Sequence, residues 1–173
     1  MTSWSDLEAE AIDLAAAVSQ RFGAHLHHIL ATVRATGAPR LSGVEVRIGD
    51  GEVWLGMMPD SAKSRDLRRD PRLALHSAPV ETDLKLGDAV IDGRAVEIAR
   101  DAPDRGEAEL ALARAIAAGA GSGDAAAGAE ELVAGADLFR VDLTGVSLVQ
   151  VDGEELVRTA WRPGGPPTVA RRR

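Results

Sequence analysis

The sequence predicts a mainly β domain, an antiparallel barrel-like sheet with helices on its outside. Short runs of β-branched and other apolar residues, bounded by Gly, Asp and Pro, occur in two blocks on either side of a longer helical segment. The strands are not regularly separated by helices, so a doubly wound parallel sheet is not expected. At 173 residues the chain is long enough for one domain with its own hydrophobic core.

The N-terminal residues 1–24 are predicted to form a helix that packs on the barrel. Ser3 or Ser5 can cap the start of this helix, and Gly23 can end it. The apolar residues at helical spacing lie among alanines and acids: Leu7, Ile12, Leu14 and Val18.

From residue 25 the apolar pattern changes to that of short strands, which are "HHILATV", "PRLSGVEVRI", "EVWLGM" and, after a charged stretch, "RLALHS". "ATGAP" and "IGDGE" are typical hairpin turns. The run "DLKLGDAVIDGRAVEIA" contains Gly87 and Gly93, which indicates either a strand bent or bulged at glycine or a hairpin at "DG". Strong curvature of this kind favours a barrel over a flat sheet.

A second helix is predicted over residues 103–118, because strong helix formers follow Pro103 there. The Gly- and Ala-rich segment after it predicts a flexible loop over about 119–129, with room for one helical turn at "AEELVA". Residues 137–162 return to strand-like alternation, with turns expected at "TG" and "DGE". The barrel domain would thus span residues 25–162, and residues 163–173 are expected to be a disordered tail.

Composition excludes several classes of protein. The net charge of −7 and the scarcity of aromatic residues argue against a general nucleic-acid binder. The absence of cysteine excludes disulfides and thiolate metal sites. No apolar run is long enough to span a membrane and the N-terminus has no basic segment, so a cytoplasmic protein with no membrane partner is expected.

The stretch "DSAKSRDLRRDPR" carries five basic and three acidic side chains, a balance of 5 − 3 = +2. Its spacing predicts a short helix that Pro71 ends, and spacing alone favours a solvated helix with internal ion pairs. The alternative is an anion site, because Ser61, Lys63 and the first free N–H groups would point from the same end of that helix. A nucleic-acid module would instead use the four arginines Arg65, Arg68, Arg69 and Arg72.

Other candidate residues give weaker signals. In a strand, His25 and His27 would share a face while His28 would point away, so surface or interface histidines are expected and no metal site is predicted. Ser42 lacks the sequence context of a hydrolase nucleophile. Three large apolar residues would be core or interface residues, and these are Trp54, Met57 and Met58. The two methionines could equally lie beside a flat ring.

Residues 26–78 together resemble the pyridoxamine 5'-phosphate oxidase-like split-barrel superfamily, which includes flavin- and deazaflavin-dependent oxidoreductases. The resemblance lies in the order of "LATV", then "GAPRLS", then a hairpin into an apolar strand, then "SAKSRDLRRDPR" leading into "LALH". It implies a six-stranded antiparallel split barrel and a homodimer with cofactor sites at the subunit interface.

The resemblance also implies a function and a set of site residues. The protein would be an oxidoreductase that transfers hydride between FMN or the deazaflavin coenzyme F-420 and a small conjugated molecule; F-420 is slightly favoured, with haem as a third candidate. The cofactor's phosphate would be bound by Ser61 and Lys63 with Arg65 nearby. The ring would lie along strand edges that carry Ser42, Val44, Met57 and Met58.

Two further features of the sequence bear on the hypothesis. Ala62 stands where the closest relatives of the oxidase often carry a second basic residue, so phosphate binding would depend mainly on Lys63. Trp161 and Arg162 would correspond to C-terminal substrate contacts. A protein that binds or carries flavin, deazaflavin or haem without turnover is the alternative, and turnover would distinguish the two. Few catalytic acids or bases are expected and none is assigned, because the cofactor supplies the chemistry.

Overall fold

The computed structural model of the chain describes residues 1–25, 27–78, 84–120, 133 and 135–173. Within these ranges there are four helices, α1 Trp4–Glu10, α2 Ile12–Gly23, α3 Ala62–Arg69 and α4 Arg105–Ala120. The same ranges contain eight strands, β1 His27–Val33, β2 Pro39–Gly49, β3 Glu52–Met57, β4 Arg72–His76, β5 Asp88–Ile98, β6 Asp137–Asp152, β7 Glu155–Trp161 and β8 Thr168–Arg172.

Six of the strands form a closed antiparallel barrel, which confirms the predicted fold. Their order is β3-β2-β1-β4-β5-β6, and β3 pairs with β6 to close the barrel. Alternate side chains of these strands point inward, where Leu30, Val46, Leu55 and Ile91 are among the fully buried core residues. The other two strands extend the sheet beyond β6.

The long strand β5 contains a bulge, which was one of the two alternatives that its glycines indicated. Its pairing with β6 shifts register between Asp92 and Gly93, and no hairpin forms at "DG". A Cβ atom on Gly93 would lie 2.8 Å from the carbonyl oxygen of Asp142, so only glycine fits the bulge. The turn expected at "TG" was wrong, because β6 runs continuously through Gly145; the turn at "DGE" is present between β6 and β7.

The N-terminal segment forms two helices instead of the single predicted one. Ser3 caps α1 and forms a reciprocal capping box with Asp6, whereas the backbone of Ala11 is not helical and separates α1 from α2. Both helices bury apolar side chains in the barrel core. Glu10, at the end of α1, accepts a hydrogen bond of 2.8 Å from Nε1 of Trp161 and so ties the helix to β7.

The disordered tail expected over 163–173 was wrong for its last part, because residues 168–172 form β8 and pair with β7. These residues bury no side chains; backbone pairing holds them, and Arg171 adds ion pairs of 3.1 Å to Asp152 and Glu155. Of the loop expected over about 119–129, the first two residues belong to α4 and the others lie outside the described residues, as does most of "AEELVA".

A second, smaller apolar cluster lies outside the barrel and is the part of the fold that shapes the site. The helix α4 packs against the outer face of the sheet, where Leu112 and Ala113 meet Trp54, Ile98 and Leu138. This arrangement leaves a cavity between α4 and the strands. Of the helices within the described ranges, none has the length and apolar character to cross a membrane.

Candidate cofactor site

The helix α3 begins at one side of the barrel, directly after β3. Ser61 is its N-cap, and its Oγ accepts a hydrogen bond of 3.3 Å from the backbone N–H of Ser64. The residue before it, Asp60, has a φ of +49°, and the backbone N–H of Ser61 donates to the carbonyl oxygen of Met58 at 3.2 Å. A tight turn therefore presents Ser61 and the first turn of α3 to the outside of the sheet.

A small pocket of about 310 Å³ lies at this turn. It contains three cationic side chains and no carboxylate, and its lining is Arg34, Arg40, Leu41, Ser42, Met58, Ser61, Ala62 and Lys63. Ser42 is one of these lining residues, and its buried hydroxyl has no hydrogen-bond partner among the residues that the structure describes. Because a buried polar group without a partner costs about 1 to 3 kcal/mol, this donor set fits an anionic ligand such as a phosphate.

Arg40 is held at the small pocket by a buried carboxylate. Its Nε lies 2.5 Å from Oδ2 of Asp66. Oδ2 also accepts a hydrogen bond of 3.0 Å from Thr32, and Oδ1 accepts one of 3.0 Å from Arg69. Burial would raise the pKa of Asp66, but the hydrogen bonds from Arg40, Arg69 and Thr32 together lower the pKa to about 2. Asp66 is therefore ionised at neutral pH and fixes the orientation of the Arg40 guanidinium.

Lys63 lies at the boundary between the small pocket and a larger cavity. Its Nζ donates to the carbonyl oxygen of Gly43 at 2.6 Å. Burial lowers the pKa of Lys63, and the nearby charge of Glu45 opposes that shift. The ammonium group can thus leave one backbone carbonyl for a ligand oxygen in either space.

The larger cavity, of about 630 Å³, lies between α4 and the outer face of the first three strands. Apolar residues form much of its lining, and these are Met58, Leu112, Ile116 and Val133, together with Val44 and Met57, whose side chains belong to the barrel core. Its polar lining comes from β1 and β2, where His27, Glu45 and Arg47 lie on one face. A space of this size, mostly apolar with a few polar groups, is typical of a small-molecule site.

Arg47 is the polar residue of the larger cavity that sequence reasoning missed. Its side chain is only 12% exposed, its Nη2 is 3.9 Å from Glu45, and within the described part of the chain its Nε has no hydrogen-bond partner. Burial lowers the pKa of Arg47, and the charge of Glu45 opposes the shift, although a guanidinium stays charged at neutral pH. Its alternation with Gly43 and Glu45 on β2 was the available signal, since these residues follow the period of one strand face.

Comparison with known protein families gives a match over residues 14–154 to the family described as "Pyridoxamine 5'-phosphate oxidase". The chain belongs to the pyridoxamine 5'-phosphate oxidase family. The match covers most of the barrel and includes the small pocket and the strands of the larger cavity. No curated protein matches the sequence.

Solved structures of this family share the fold. A pyridoxamine 5'-phosphate oxidase-related, FMN-binding protein from Nostoc punctiforme is 16% identical with a TM-score of 0.63, and the match covers 94% of this chain and 96% of that one. A haem-binding protein from Mycobacterium smegmatis is 21% identical with a TM-score of 0.56, covering 85% and 57% of the two chains. HutZ, the haem storage protein from Vibrio cholerae, is 20% identical with a TM-score of 0.51, covering 85% and 93%. At these identities the likeness shows the fold alone.

The structure brings most of the predicted site residues together. Ser42, Ser61 and Lys63 line the small pocket, Val44 and Met57 line the larger cavity, and the exposed Met58 borders both. Lys63 borders both as well. Sequence reasoning did not include Arg34 and Arg40, which precede and follow the β1–β2 turn.

Arg65 and the two C-terminal candidates lie elsewhere. Arg65 turns back to its own helix start, where it donates to the carbonyl oxygen of Asp60 and pairs with the Asp60 carboxylate at 3.1 Å. Trp161 is buried and bonded to Glu10, and it borders a separate depression together with Arg162. That depression shares no lining residue with the small pocket or the larger cavity.

The arginines of the charged stretch are paired with acids. Arg68 contacts Glu97 at 2.6 Å and Asp137 at 2.9 Å, and Arg72 contacts Asp70 at 2.6 Å. Arg69 contacts Asp66. The arginines are therefore paired, as the solvated-helix alternative expects, but Arg68 pairs with acids of β5 and β6 and Arg69 pairs with a buried carboxylate. The N-terminal end of the helix borders the small pocket.

The three histidines have different environments. His25 precedes β1 and His27 is exposed at the mouth of the larger cavity. The expectation of a surface or interface position was wrong for His28, whose Nδ1 accepts a bond of 3.2 Å from the N–H of Ala78 inside the protein. Burial lowers the pKa of His28. Within the described ranges, no group of three His, Asp or Glu side chains could hold a metal ion.

Proposed function

We propose that the protein is a flavin-type oxidoreductase that binds FMN or the deazaflavin coenzyme F-420 and transfers hydride to or from a small conjugated molecule. The observation that carries the proposal is the small pocket, which is lined by Arg34, Arg40 and Lys63 together with Ser42, whose buried hydroxyl has no hydrogen-bond partner among the described residues. Both cofactors carry a phosphate, and such a donor set would bind one through charge-assisted hydrogen bonds.

In this proposal the residues of the chain bind and orient the cofactor. Arg40, fixed by Asp66, and Lys63 would hold the phosphate, and the hydroxyls of Ser42 and Ser61 would complete its hydrogen bonds. Lys63 would exchange its bond to the Gly43 carbonyl for one to the ligand. When bound, a flavin-type cofactor supplies the hydride chemistry, so the chain needs few acids or bases of its own.

The larger cavity would hold the reacting partner. Its apolar wall excludes water, and α4 covers it on one side. The Nε of Arg47 has no hydrogen-bond partner among the described residues, which favours a substrate that carries a carboxylate or another anionic group. The same cavity would shield a reduced cofactor from solvent.

A homodimer is part of the proposal. Leu41 and Met58 are 72% and 78% exposed, and both lie at the rim of the small pocket. A second copy of the chain that covers this rim would bury both side chains and help to close the pocket. Charged substitutions of both, Leu41→Glu with Met58→Glu, should yield a monomer by light scattering. A wild type that is monomeric at micromolar concentration would contradict this part of the proposal.

Reconstitution with each cofactor in turn tests the cofactor assignment. The purified protein would be mixed with FMN, F-420 or haem and passed through a desalting column, and the retained visible spectrum would identify the cofactor. Reduced holoprotein would then be mixed with conjugated acceptors under anaerobic conditions. Repeated turnover would support the oxidoreductase, whereas tight binding with no turnover of any acceptor would favour a carrier.

Haem binding is the second candidate, and the position of His27 favours it. The imidazole of His27 borders the larger cavity, where Met57 and Met58 also lie, and histidine and methionine are haem ligands in other proteins. If haem is bound here, His27→Ala should shift or abolish the haem absorption band, while Lys63→Ala should change it little. A haem band that survives in His27→Ala but is lost in Lys63→Ala would contradict the role of His27. A wild type that retains FMN but loses haem on the desalting column would exclude haem.

A further inference from the structure

We infer that Asp137 is a positioning residue for the anion-binding turn, although it contacts neither the small pocket nor the larger cavity. The turn consists of residues 58–61, which connect β3 to α3. The inference rests on the proposed function only in taking a phosphate as the ligand of the turn. The role of Asp137 in holding the turn can be tested on the ligand-free protein.

The carboxylate of Asp137 lies beneath this turn at the start of β6. Its Oδ2 accepts a hydrogen bond of 2.7 Å from the backbone N–H of Asp60. Its Oδ1 is 2.9 Å from Arg68 on α3 and 3.5 Å from Arg100. The side chain is only 4% exposed, so these contacts are made away from water, where hydrogen bonds to a charged acceptor are strongest.

The turn needs such support because its backbone is unfavourable. Asp60 adopts a φ of +49°, a region that residues with a side chain rarely occupy. The next residue, Ser61, both lines the small pocket and caps α3. A change in the backbone of Asp60 would therefore move the Ser61 hydroxyl and the first N–H groups of the helix.

Asp137 also connects this turn to the larger cavity. It pairs with Met57 across the β3–β6 ladder, and the residues just before it, Gly135 and Ala136, line the larger cavity. Burial would raise the pKa of Asp137, but hydrogen bonds from Asp60, Ser64 and Arg68 lower it, so the carboxylate is ionised at neutral pH. One buried carboxylate thus contacts both the turn and α3, and it directly follows two residues that line the larger cavity.

Hydrogen exchange of the ligand-free protein tests the inference. In Asp137→Ala, exchange of amides in residues 58–63 should rise by about tenfold, the equivalent of one lost charge-assisted bond. Amides of β1 and β2 should keep their wild-type rates. The matched control is Asp142→Ala, because Asp142 lies on the same strand but accepts its hydrogen bond from Thr2. A turn that stays as protected in Asp137→Ala as in the wild type would overturn the inference, as would an equal rise throughout the barrel.

Ligand binding gives the second readout, with FMN and riboflavin as probes that differ only in the phosphate. Asp137→Ala should weaken FMN binding by about tenfold and riboflavin binding by less than about twofold. Equal losses for both probes would contradict a role at the phosphate end. A wild type that binds FMN no better than riboflavin would refute the proposed FMN site, and the exchange result would still decide the role of Asp137.

Asp137→Asn covers the case in which the alanine variant does not fold. Its amide oxygen can still accept from the N–H of Asp60, but it lacks the charge that pairs with Arg68. We expect an exchange rise of about threefold confined to residues 58–63. Wild-type exchange of that segment in Asp137→Asn, with α3 loosened instead, would show that the carboxylate serves the helix and not the turn.

Discussion

The Nε of Arg40 lies 2.5 Å from Oδ2 of Asp66, and this pair determines the geometry of the small pocket. Asp66 is on α3 and Arg40 is on β2, so the ion pair links the helix that begins at the pocket to the strand that forms its opposite side. Thr32 of β1 donates to the same carboxylate. Three elements that are distant in sequence therefore meet at one buried anion, and the guanidinium of Arg40 is presented to a ligand with little freedom.

The first prediction concerns the phosphate-binding cations. Lys63→Ala and Arg40→Ala should each weaken FMN or F-420 binding by about tenfold or more, since each removes a charge-assisted hydrogen bond to a phosphate. Arg69→Ala should weaken it by less than about threefold, because Arg69 bonds Asp66 and the carbonyl oxygen of Val33 and does not line the pocket. Titration of cofactor fluorescence measures all three. Equally small losses of cofactor affinity in all three variants would refute the phosphate site.

The second prediction concerns acid stability and Asp66. Its pKa is about 2 in the folded protein against an ordinary value of 3.8, so the unfolded chain binds the proton more readily. The stabilisation is therefore complete above about pH 4 and is lost as the pH falls towards 2. Urea unfolding should show the wild type losing about 1 to 2 kcal/mol more than Asp66→Asn over that interval. A difference between the two proteins that stays constant from pH 6 to pH 2 would contradict this.

Much of the fold could be predicted because local patterns and the global structure agree. Alternation in β1 to β3, the glycines of β5 and the Ser61 cap with Pro71 beyond the helix all indicate the elements that are found. Predictions of secondary structure were wrong where pairing with a neighbouring strand outweighed the preference of the local sequence. Gly145 does not end β6 because a long partner strand continues past it, and the tail forms β8 because β7 offers an open edge.

The site could be predicted only in part, for a related reason. Ser61 and Lys63 are close in sequence to a helix start, which is a local signal. Arg34, Arg40 and Arg47 give no such signal, because their roles depend on which strand face points outward and on what α4 covers. The resemblance implied that Arg65 lies near the phosphate, yet its acceptors are the carbonyl oxygen and the carboxylate of Asp60. A residue close in sequence to Lys63 therefore does not need to line the same pocket.

The third prediction concerns the β5 bulge. Gly93→Ala should destabilise the protein by about 2 kcal/mol, because the added methyl group would meet Val141 and the carbonyl oxygen of Asp142 on the adjacent strand. Gly106→Ala is the matched control, since a Cβ atom there meets nothing within 4 Å and the residue lies in α4. That substitution should be neutral or stabilise by up to about 1 kcal/mol. Thermal and urea unfolding of the two variants and the wild type measure these effects. Equal midpoints for Gly93→Ala and the wild type would show that the barrel accommodates the added methyl group without loss of stability.

The fourth prediction concerns the effects of Arg47 on the free energy of unfolding and on ligand binding. Arg47 is a mostly buried cation that donates a hydrogen bond of 3.1 Å from Nη1 to the carbonyl oxygen of Val46. Among the described residues its nearest carboxylate atom is 3.9 Å away and its Nε has no partner, so its desolvation is only partly compensated. Arg47→Met should therefore leave the free energy of unfolding unchanged or raise it by about 1 kcal/mol. The exposed Arg94→Met on β5 should change it by less than about 0.5 kcal/mol.

The same Arg47→Met variant should lose affinity for an apolar anion. Benzoate binding to the reconstituted protein, followed by calorimetry, should weaken by about tenfold or more, while binding of benzyl alcohol should stay within about twofold of the wild type. The neutral probe separates loss of the charge from a change in cavity shape. A variant that is less stable by more than about 1 kcal/mol and binds benzoate normally would mean that the guanidinium supports the sheet instead of a ligand. A stable variant with weakened benzoate binding would mean that the sequence retains this costly buried charge for its ligand.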